Sequence, residues 1–547
     1  MIKKKLLAIL TAVAVMTTMG GCSFSNTDTS SGEEAATKKV TNPEDEMVVG
    51  SMVEAPSLDP AFNNDFGSYQ VLNQICEPVL SIDKDGNVQD GLATYETKDN
   101  QTYVYTFKKG IKFSDGTEMT AKDAVFSIEH YMDPETAGNT AFIYAGVKSV
   151  KATGKYEMKL VLKQPDATWK AKLAGCYGLV FSEKAFKKVG KDKFGTADGG
   201  IVGTGAYKLS KWEMGVQTVL EKNENYHDAD SVDIQKVTIL YFSDNSSELM
   251  ALKTGQIDEI TEPDATMFED IDKIDDVKHI RAESKAGVYL AMNCKTGPFQ
   301  DKNVRKAVAY ALDKQSLMVS QYGKEDVEEA SSFYCPDGAI GYGKDIIEQS
   351  KKDVAQYEYD LEKAKEYLAK SDYADGFKCK IMCWGDTPSQ NQCVAIQALL
   401  KELNISVEVV QQTIDENVAA GYGFTLDDDG NRVYDMFLAT WSTDVNEPME
   451  FYDPLLATAN MGKGGCNMAS YSNTEVDKLI EIAKTSTDDT KRAQALADMN
   501  KIVTEDVPYV VVGYMKGNMA LNKRFTYDNY SVSWISNLHY AEFKIAK

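Results

Sequence analysis

Chemically useful side chains lie at the end of one apolar stretch, residues 434–454, with the sequence YDMFLATWSTDVNEPMEFYDP. Up to Trp441, apolar residues occupy both alternating faces, which predicts an inner β-strand. The residues that follow are typical of a loop. An indole, Trp441, and a carboxylate, Asp444, are therefore predicted to lie together at a strand end, where α/β sheets usually hold ligands.

Two kinds of chemistry fit these residues. A carboxylate in a closed, dry site makes a charge-assisted hydrogen bond to a cation such as an ammonium group. Asp444 and Glu447 could instead act as the paired carboxylates of a glycosidase. The four histidines are scattered without an HExxH, and no G-x-S-x-G is present, so other hydrolytic chemistry has little support. Structural interpretations also stay open, with Asp444 as a capping residue and Trp441 as core.

A second candidate contact region follows a short β-rich run at residues 47–51. Its loop contains Asn64, Phe66, Gly67 and Ser68. Polar, aromatic and glycine residues together suit a loop that touches a ligand through side chains and backbone. The alternative is a connecting loop whose phenylalanines fill the core. Helical spacing at residues 69–80 follows this loop.

The remaining elements predict an α/β fold. Alternation at residues 102–113 and 156–162 predicts strands, and Thr120 to Asp123 predicts the start of a helix at 124–131. We expect these to form a small α/β insert, residues 81–195. Later, a strand at 377–384, a helix at 390–403 and a strand at 405–410 precede the opening stretch. This order is typical of a mainly parallel sheet. A final apolar strand is predicted at 508–514.

Length and charge limit the class of protein. A chain of 547 residues exceeds the size at which one core keeps growing, so two or more domains are expected. With 59 basic and 83 acidic residues, the net charge is −24. Such an acidic chain argues against binding to nucleic acid and against a surface that lies on a membrane.

The amino terminus predicts export. Three lysines precede an apolar run, and small residues lead to Cys22, which indicates a signal peptide at residues 1–21. A cysteine at this place resembles the lipobox of bacterial lipoproteins, and plain secretion is the alternative. The resemblance implies that Cys22 is acylated and tethers the chain to the outer face of the cell membrane. Residues 22–46 are predicted to be a disordered linker.

Eight further cysteines are too few in so long a chain for a disulfide framework. Cys379, Cys383 and Cys393 are close in sequence and could suggest a metal site. No histidine is nearby, and the first two lie in a predicted strand. Buried thiols or one disulfide are therefore the preferred interpretation, and we expect no metal and no cofactor.

Seven motifs lie along nearly the whole chain: SLDP at 57–60, FSDGTEMTAKDAVFS at 113–127, GTGAY at 203–207, LKTGQID at 252–258, PFQDKNVRKAVAYALDK at 298–314, YDLEKAKEYL at 359–368 and WSTDVNEP at 441–448. In these motifs and in their order, the chain resembles the extracellular solute-binding proteins of ABC importers that carry oligopeptides and dipeptides. Ala206 replaces the family's usual proline in GTGPY.

The resemblance implies a periplasmic-binding-protein-like α/β fold with two lobes, three domains, mixed sheets and a hinge. Lobe one would combine residues 47–80, 196–288 and 516–547. The insert, residues 81–195, would pack beside it, and lobe two would be residues 289–515.

The resemblance also implies roles for single residues. Asp444 falls where peptide-binding members place the aspartate that pairs with the ligand's α-ammonium group, and Trp441 would form a wall against the peptide. The expected ligand contacts are Asp444, Trp441, Thr443, Asn64, Phe66, Gly67, Ser68, Tyr144 and Tyr177. Backbone groups of the first loop could pair with an extended peptide as a strand would.

One departure concerns the other end of the ligand. Leu438 stands near the position where one well-known oligopeptide-binding relative has an arginine that meets the ligand's carboxylate. A fixed clamp for the carboxyl end is therefore not implied.

The expected function is capture of peptides by hinge closure and their delivery to the permease subunits of an ABC transporter. We expect a monomer that is not an enzyme. The same fold with another cargo, such as a nickel chelate, an oligosaccharide or an opine, stays open, as does a lipid-anchored hydrolase.

Overall fold

The computed structural model describes residues 42–62, 66–133, 143–330, 333–443, 445–531 and 538–547. The strands, numbered in chain order, are β1 (Glu46–Ser51), β2 (Glu77–Pro78), β3 (Leu80–Ile82), β4 (Val88–Asp90), β5 (Ala93–Thr97), β6 (Thr102–Phe107), β7 (Val147–Gly154), β8 (Glu157–Leu162), β9 (Leu179–Val180), β10 (Tyr207–Glu213), β11 (Gln217–Lys222), β12 (Lys236–Tyr241), β13 (Glu259–Thr261), β14 (Val277–Met292), β15 (Val327–Glu328), β16 (Lys378–Cys383), β17 (Ser406–Val409), β18 (Met436–Ser442), β19 (Tyr509–Asn522), β20 (Phe525–Thr526) and β21 (Lys544–Ile545). The helices are α1 (Phe66–Ile75), α2 (Ala121–Met132), α3 (Trp169–Lys172), α4 (Glu183–Val189), α5 (Asn245–Thr254), α6 (Phe268–Ile271), α7 (Lys302–Ala311), α8 (Lys314–Tyr322), α9 (Lys344–Lys352), α10 (Leu361–Leu368), α11 (Thr387–Leu400), α12 (Ile414–Gly421), α13 (Met449–Leu456), α14 (Thr474–Thr485) and α15 (Asp489–Asp506). Over these ranges no helix is both long enough and apolar enough to cross a membrane.

Within the described residues, eleven strands form one mixed sheet. Its order is β10, β11, β12, β1, β13, β19, β14, β18, β16 and β17, and β15 pairs with β19 outside this order. β1 runs parallel to β12 and β13, and β16 runs parallel to β17 and β18. Between these parallel groups lie β14 and β19, which are antiparallel to each other. The sheet is therefore mixed, as predicted.

The prediction of an inner strand at the opening stretch is confirmed by β18. This strand pairs with β14 along residues 436–442 and with β16 along residues 436–438. Met436 and Leu438 pack into one hydrophobic cluster, and Phe437 packs into another, so both faces are buried. Helices α11 and α12 connect β16, β17 and β18, which is the usual way to join parallel strands.

The long strands β14 and β19 pair unevenly. Ala282 pairs with Gly517 and Ala286 pairs with Met515, so three residues of β14 face the single residue Lys516. A bulge of this kind interrupts the ladder hydrogen bonds and bends the strand.

The structure extends the final apolar strand that was predicted at residues 508–514. Strand β19 continues from Tyr509 to Asn522. It does so because β14 offers partners along nearly all of its length and β13 pairs with it at residues 519–521. The predicted limits of lobe two, residues 289–515, therefore fall inside β14 and β19. The division into three domains remains a prediction.

The predicted insert contains an antiparallel sheet in the order β5, β6, β8, β7. Helix α2 packs against β7 and β8. The predicted cap is confirmed, because the Asp123 carboxylate accepts a hydrogen bond from Thr120 N at 2.9 Å, although α2 begins at Ala121 and not at the predicted residue 124. Satisfying an otherwise unpaired N–H in this way stabilises the first turn of a helix.

Helix α1 begins at Phe66 and ends at Ile75, whereas its spacing predicts a helix at residues 69–80. The first turn packs directly on the preceding segment. A Cβ at Gly67 would lie 2.7 Å from the Glu54 carbonyl carbon, so only glycine allows this approach. After the helix, β2 pairs with β9 and the chain becomes extended.

Candidate functional site

The carboxyl ends of two groups of strands face each other across the bulge between β14 and β19. The last residue of β13, Thr261, pairs with Met519. From the other side, the last residue of β18, Ser442, pairs with Ala286, which in turn pairs with Met515. Met515 and Met519 are four residues apart on β19, which is about 13 Å at about 3.3 Å per residue. Ligands bind outside the carboxyl ends of such strands. We call this region the strand-end gap.

On the β18 side, Trp441 is half-buried and its position is fixed by a hydrogen bond. The indole Nε1 donates to the carbonyl oxygen of Glu450, in the first turn of α13, at 2.8 Å. Thr443 is 6% exposed, and its hydroxyl donates to Val445 O at 3.2 Å within the turn. Asp444 lies outside the described residues. Trp441 therefore borders the gap, whereas the Thr443 hydroxyl serves the turn.

Strand β18 has an open edge beside Trp441. Its neighbour β16 ends opposite Leu438, so residues 439–442 have no strand partner on this side in the described part of the chain. Trp384, the first residue after β16, donates its Nε1 to Thr440 O at 3.2 Å. Sequence reasoning missed Trp384, although its place directly after a parallel strand was a usable signal. Leu438 is fully buried, in line with the absence of a carboxylate clamp at that position.

Glu447, the second acid of the alternative glycosidase pair, is engaged in structural bonds. One carboxylate oxygen accepts from Arg492 Nη2 at 2.6 Å, and the other accepts from Tyr342 OH and Met449 N, both at 3.1 Å. The side chains of Glu447 and Arg492 are 5% and 3% exposed. This ion pair holds the loop after β18 on α15. A carboxylate with these bonds is poorly placed to activate water, which favours a binding role for the loop.

A further acid, Glu450, lies beside Trp441, whose indole donates to its carbonyl oxygen. Its side chain is half-buried at the start of α13. Burial raises the pKa of Glu450 to about 7; the Lys172 ammonium opposes this shift, and the carboxylates of Glu447, Asp166 and Asp453 add to it. A positively charged ligand group nearby would stabilise the ionised form.

On the opposite side, the chain leaves β1 through an exposed segment. Met52 and Val53 are 40% and 42% exposed directly after the carboxyl end of the strand. Glu54 anchors the segment, since its carboxylate accepts from Trp212 Nε1 at 2.9 Å and from Gly215 N at 2.8 Å. Met52 and Val53 are candidate contacts that sequence reasoning missed.

Glu262 follows β13 directly and has a φ of 53°, in the left-handed region that residues other than glycine seldom adopt. Its carboxylate accepts from Asn518 N at 3.3 Å and from Tyr530 OH. Backbone strain of this kind concentrates at ligand sites. Glu262 is therefore a candidate acid on the β13 side of the gap, and sequence reasoning missed it as well.

The predicted loop is wrong for Phe66, Gly67 and Ser68, whereas their role as ligand contacts stays a prediction. Phe66, Gly67 and Ser68 form the first turn of α1 and not an extended loop, so their backbone is not arranged to pair with an extended ligand. Ser68 is buried and donates its hydroxyl to Ser57 O at 3.1 Å. Phe66 is half-buried. Asn64 lies outside the described residues.

The two predicted tyrosines lie in the insert. Tyr144 is 2% exposed, stacks on Tyr131 with ring centroids 5.3 Å apart, and donates its hydroxyl to Tyr177 O. Tyr177 is half-buried, and its ring packs at a right angle to that of Tyr69, with ring centroids 6.3 Å apart. The burial of Tyr144 argues against a ligand contact for its side chain, whereas Tyr177 stays a prediction. Across the described residues, no group of three or more His, Cys, Asp or Glu side chains could hold a metal ion.

Comparison with known proteins identifies relatives of this architecture. Residues 87–463 match the family model of the bacterial extracellular solute-binding proteins, family 5, middle region. The oligopeptide-binding protein OppA of Bacillus subtilis (strain 168) is 27% identical over 532 residues, which cover 92% of this chain and 93% of OppA.

Two solved structures show the same fold. DppA from Helicobacter pylori in complex with peptide STSA superposes with a TM-score of 0.76 at 22% identity, over 92% of this chain and 98% of DppA. AgaA from A.tumefacien R10 in complex with agropinic acid superposes with a TM-score of 0.74 at 21% identity, over 92% of this chain and 99% of AgaA. These likenesses confirm the predicted periplasmic-binding-protein-like fold. Because the family model spans well over half of the residues, the chain belongs to the bacterial extracellular solute-binding proteins of family 5.

Proposed function

We propose that this protein binds peptides in the strand-end gap and delivers them to the permease of an ABC transporter. The observation that carries the proposal is the meeting of the carboxyl ends of β13 and β18 at the bulge between β14 and β19. The choice of a peptide is supported by the relative OppA, which is an oligopeptide-binding protein, and by DppA in complex with peptide STSA.

The open edge of β18 suits the backbone of an extended peptide. Thr440 directs its carbonyl toward this edge, where Trp384 donates to it. Backbone groups two residues apart on a strand point to the same side, so exposed Ser442 presents its N–H and C=O there too. A peptide added as a further strand gains main-chain hydrogen bonds whatever its sequence.

The acids around the gap suit the amino end of a peptide. We assign the α-ammonium group to Asp444, where a charge-assisted hydrogen bond contributes about 1.5 to 3 kcal/mol. Glu262 is a further acid on the β13 side of the gap, and Glu450 ionises more readily when a positive group lies near it. A buried carboxylate without a partner is costly, so the closed site is favoured once the ligand brings its positive charge.

We assign hinge motion to β14 and β19, because both strands run past the gap and the bulge interrupts their pairing. Two sets of hydrogen bonds join segments that are far apart in sequence. Asn446 donates its N–H to Gly86 O at 2.9 Å and its side-chain amide to Asp85 O at 2.6 Å. Ala167 N donates to Lys484 O at 2.7 Å. Opening would break these bonds, and a bound ligand would favour keeping them.

The expected partners beyond the ligand follow from the family and the amino terminus. We propose a monomer that is tethered to the outer face of the cell membrane through acylated Cys22, which lies outside the described residues. Mass spectrometry of the mature amino terminus tests this anchor, because an unmodified residue there would contradict it.

Native mass spectrometry tests the function. Ligand-free protein is incubated with a mixed peptide library and, separately, with an opine, an oligosaccharide and a nickel chelate. We expect one intact peptide retained per chain and no retention of the other solutes. Shortened peptides would indicate turnover and contradict a binding role, whereas retention of a non-peptide solute alone would contradict the peptide assignment.

A further inference from the structure

Cys383 and Cys393 come together where a strand meets the helix that follows it. Cys383 is the last residue of β16, and Cys393 lies on the buried face of α11 with Ile396 and Leu400. The two cysteines belong to one hydrophobic cluster and are 3% and 0% exposed. Their thiols are in hydrogen-bond contact with each other.

The two thiols differ in acidity. The contact with Cys393 and a hydrogen bond from the Gly385 N–H hold the pKa of the Cys383 thiol below its usual value, although burial opposes this. The same contact, together with burial, raises the pKa of the Cys393 thiol well above its usual range. In the folded state Cys383 is therefore the more acidic thiol of the pair.

We propose that Cys383 and Cys393 are joined by a disulfide in the mature protein. Side chains already in contact meet the main geometric requirement for such a bond, because distant or divergent cysteines cannot be bridged without backbone movement. Members of an extracellular family work in the compartments where disulfides persist. The bond ties α11 to the end of β16, directly before Trp384, whose indole reaches the open edge of β18.

The chemistry is a thiol–disulfide exchange that forms the bond during folding, before the two thiols are buried. One of the two cysteines, as its thiolate, attacks a small-molecule or oxidoreductase disulfide, whose S–S bond breaks and releases one thiol. The other cysteine loses its proton and attacks the mixed disulfide, which releases the second thiol and forms the Cys383–Cys393 bond. The protein loses two electrons and two protons, and the external disulfide gains them.

Peptide mapping tests the proposal on the full chain. Reduced, unfolded protein is refolded with glutathione disulfide, denatured with N-ethylmaleimide and digested with trypsin. Both cysteines fall in the tryptic peptide of residues 381–401, which should carry no maleimide and be about 2 Da lighter than its dithiol form. Cleavage before Asp386 should leave the two halves joined until a reductant is added.

Cys379 gives a matched control, since it lies four residues earlier on the same strand and burial raises its pKa to about 12. C379S should give the same cross-linked peptide as the wild-type chain, and C393S should give none. Two maleimide groups on peptide 381–401 of the refolded wild-type chain would overturn the proposal, as would a bond from Cys383 to any other cysteine. The wild-type result decides even where a variant fails to fold.

Discussion

Glu259 places a carboxyl group inside the sheet near the strand-end gap. The residue is fully buried; one oxygen accepts a hydrogen bond from the Thr261 hydroxyl, and the other has no partner among the described residues. Burial raises the pKa of Glu259 to about 8; the Thr261 hydroxyl opposes this shift, and the carboxylates of Glu248 and Asp258 add to it. The folded protein therefore keeps a proton that the unfolded chain releases near its ordinary value of 4.5.

The raised pKa of Glu259 predicts how the free energy of unfolding depends on pH. Its contribution is fully present below about pH 4.5 and is lost as the pH rises to about 8, because the folded state binds more protons than the unfolded state in that window. We expect the free energy of unfolding to fall across this range in the wild-type chain and to fall less in E259Q, which cannot ionise. Urea unfolding at pH 5, 6.5 and 8 measures both slopes.

E269Q is the matched control, because the Glu269 side chain is 87% exposed. The free energy of unfolding of E269Q should fall with pH as steeply as that of the wild-type chain. Identical slopes for all three proteins would contradict the assignment of the proton to Glu259.

Among single residues, the sequence predicts those whose side chain differs in type from its neighbours in the chain. Trp441 is identifiable because it ends an apolar run and precedes loop residues. Glu259 and Glu262 are not, because the chain contains 83 acidic residues and nothing in a short polar segment shows which of them is buried or strained. Burial and backbone strain arise from tertiary contacts that a single sequence does not display.

The ion pair between Glu447 and Arg492 joins two elements, the loop after β18 and helix α15. Arg492 also donates to the Asp489 carboxylate at 3.1 Å, and its guanidinium lies 3.9 Å from the centre of the Tyr342 ring. The loop that follows β18 is thus attached to a long helix by a buried charge pair.

We expect E447Q to destabilise the protein by about 3 kcal/mol, because removal of one partner leaves a buried charge without its main counter-ion. Denaturant unfolding measures the change. D489N is the matched control. The Asp489 carboxylate is 65% exposed, so its removal should lower the free energy of unfolding by no more than about 1 kcal/mol. If the two variants lost the same stability, the buried pair would not be what holds the loop.

Periodicity in the sequence locates most elements to within a few residues. The predicted strand at 377–384 and helix at 390–403 correspond to β16 and α11, because each carries a clear apolar face. Helix α1 and strand β19 were misplaced for a common reason. The start of α1 depends on the close approach that Gly67 allows, and the length of β19 depends on pairing with β14. Both causes are non-local.

At the scale of the molecule, the proposed site depends on strands from distant parts of the chain that end on either side of the same bulge. β13 and β18 are separated by about 180 residues, and only their registers on β14 and β19 reveal that their ends face each other. The family resemblance predicts a cleft, whereas composition and periodicity alone do not locate it.

If a bound peptide keeps the gap closed, substitution of Asn446 should change the rate at which the peptide is released. Asn446 makes three bonds to the turn between β3 and β4: its N–H donates to Gly86 O, and its side-chain amide donates to Asp85 O and Asn87 Oδ1. These bonds exist only in the closed arrangement if the molecule opens at the bulge. N446A should release bound peptide about two to ten times faster, since a hydrogen bond contributes about 0.5 to 1.5 kcal/mol. Stopped-flow dissociation measures the rate.

N431A is the control for this effect, because Asn431 makes a comparable side-chain bond to Asp427 in a hairpin turn of its own. It should leave the release rate unchanged. Equal release from wild type and N446A would show that the Asn446 contact does not respond to ligand.

The proposed function depends on a peptide whose α-ammonium group pairs with Asp444. Isothermal titration measures this pairing, with a peptide identified by native mass spectrometry and its N-acetylated form, against wild type, D444N and the control D429N, whose carboxylate is exposed. We predict that acetylation and D444N each weaken binding about tenfold or more, and that acetylation adds little in D444N, because both changes remove the same interaction. Equal affinity of the wild-type protein for the free and acetylated peptides would contradict the pairing with Asp444.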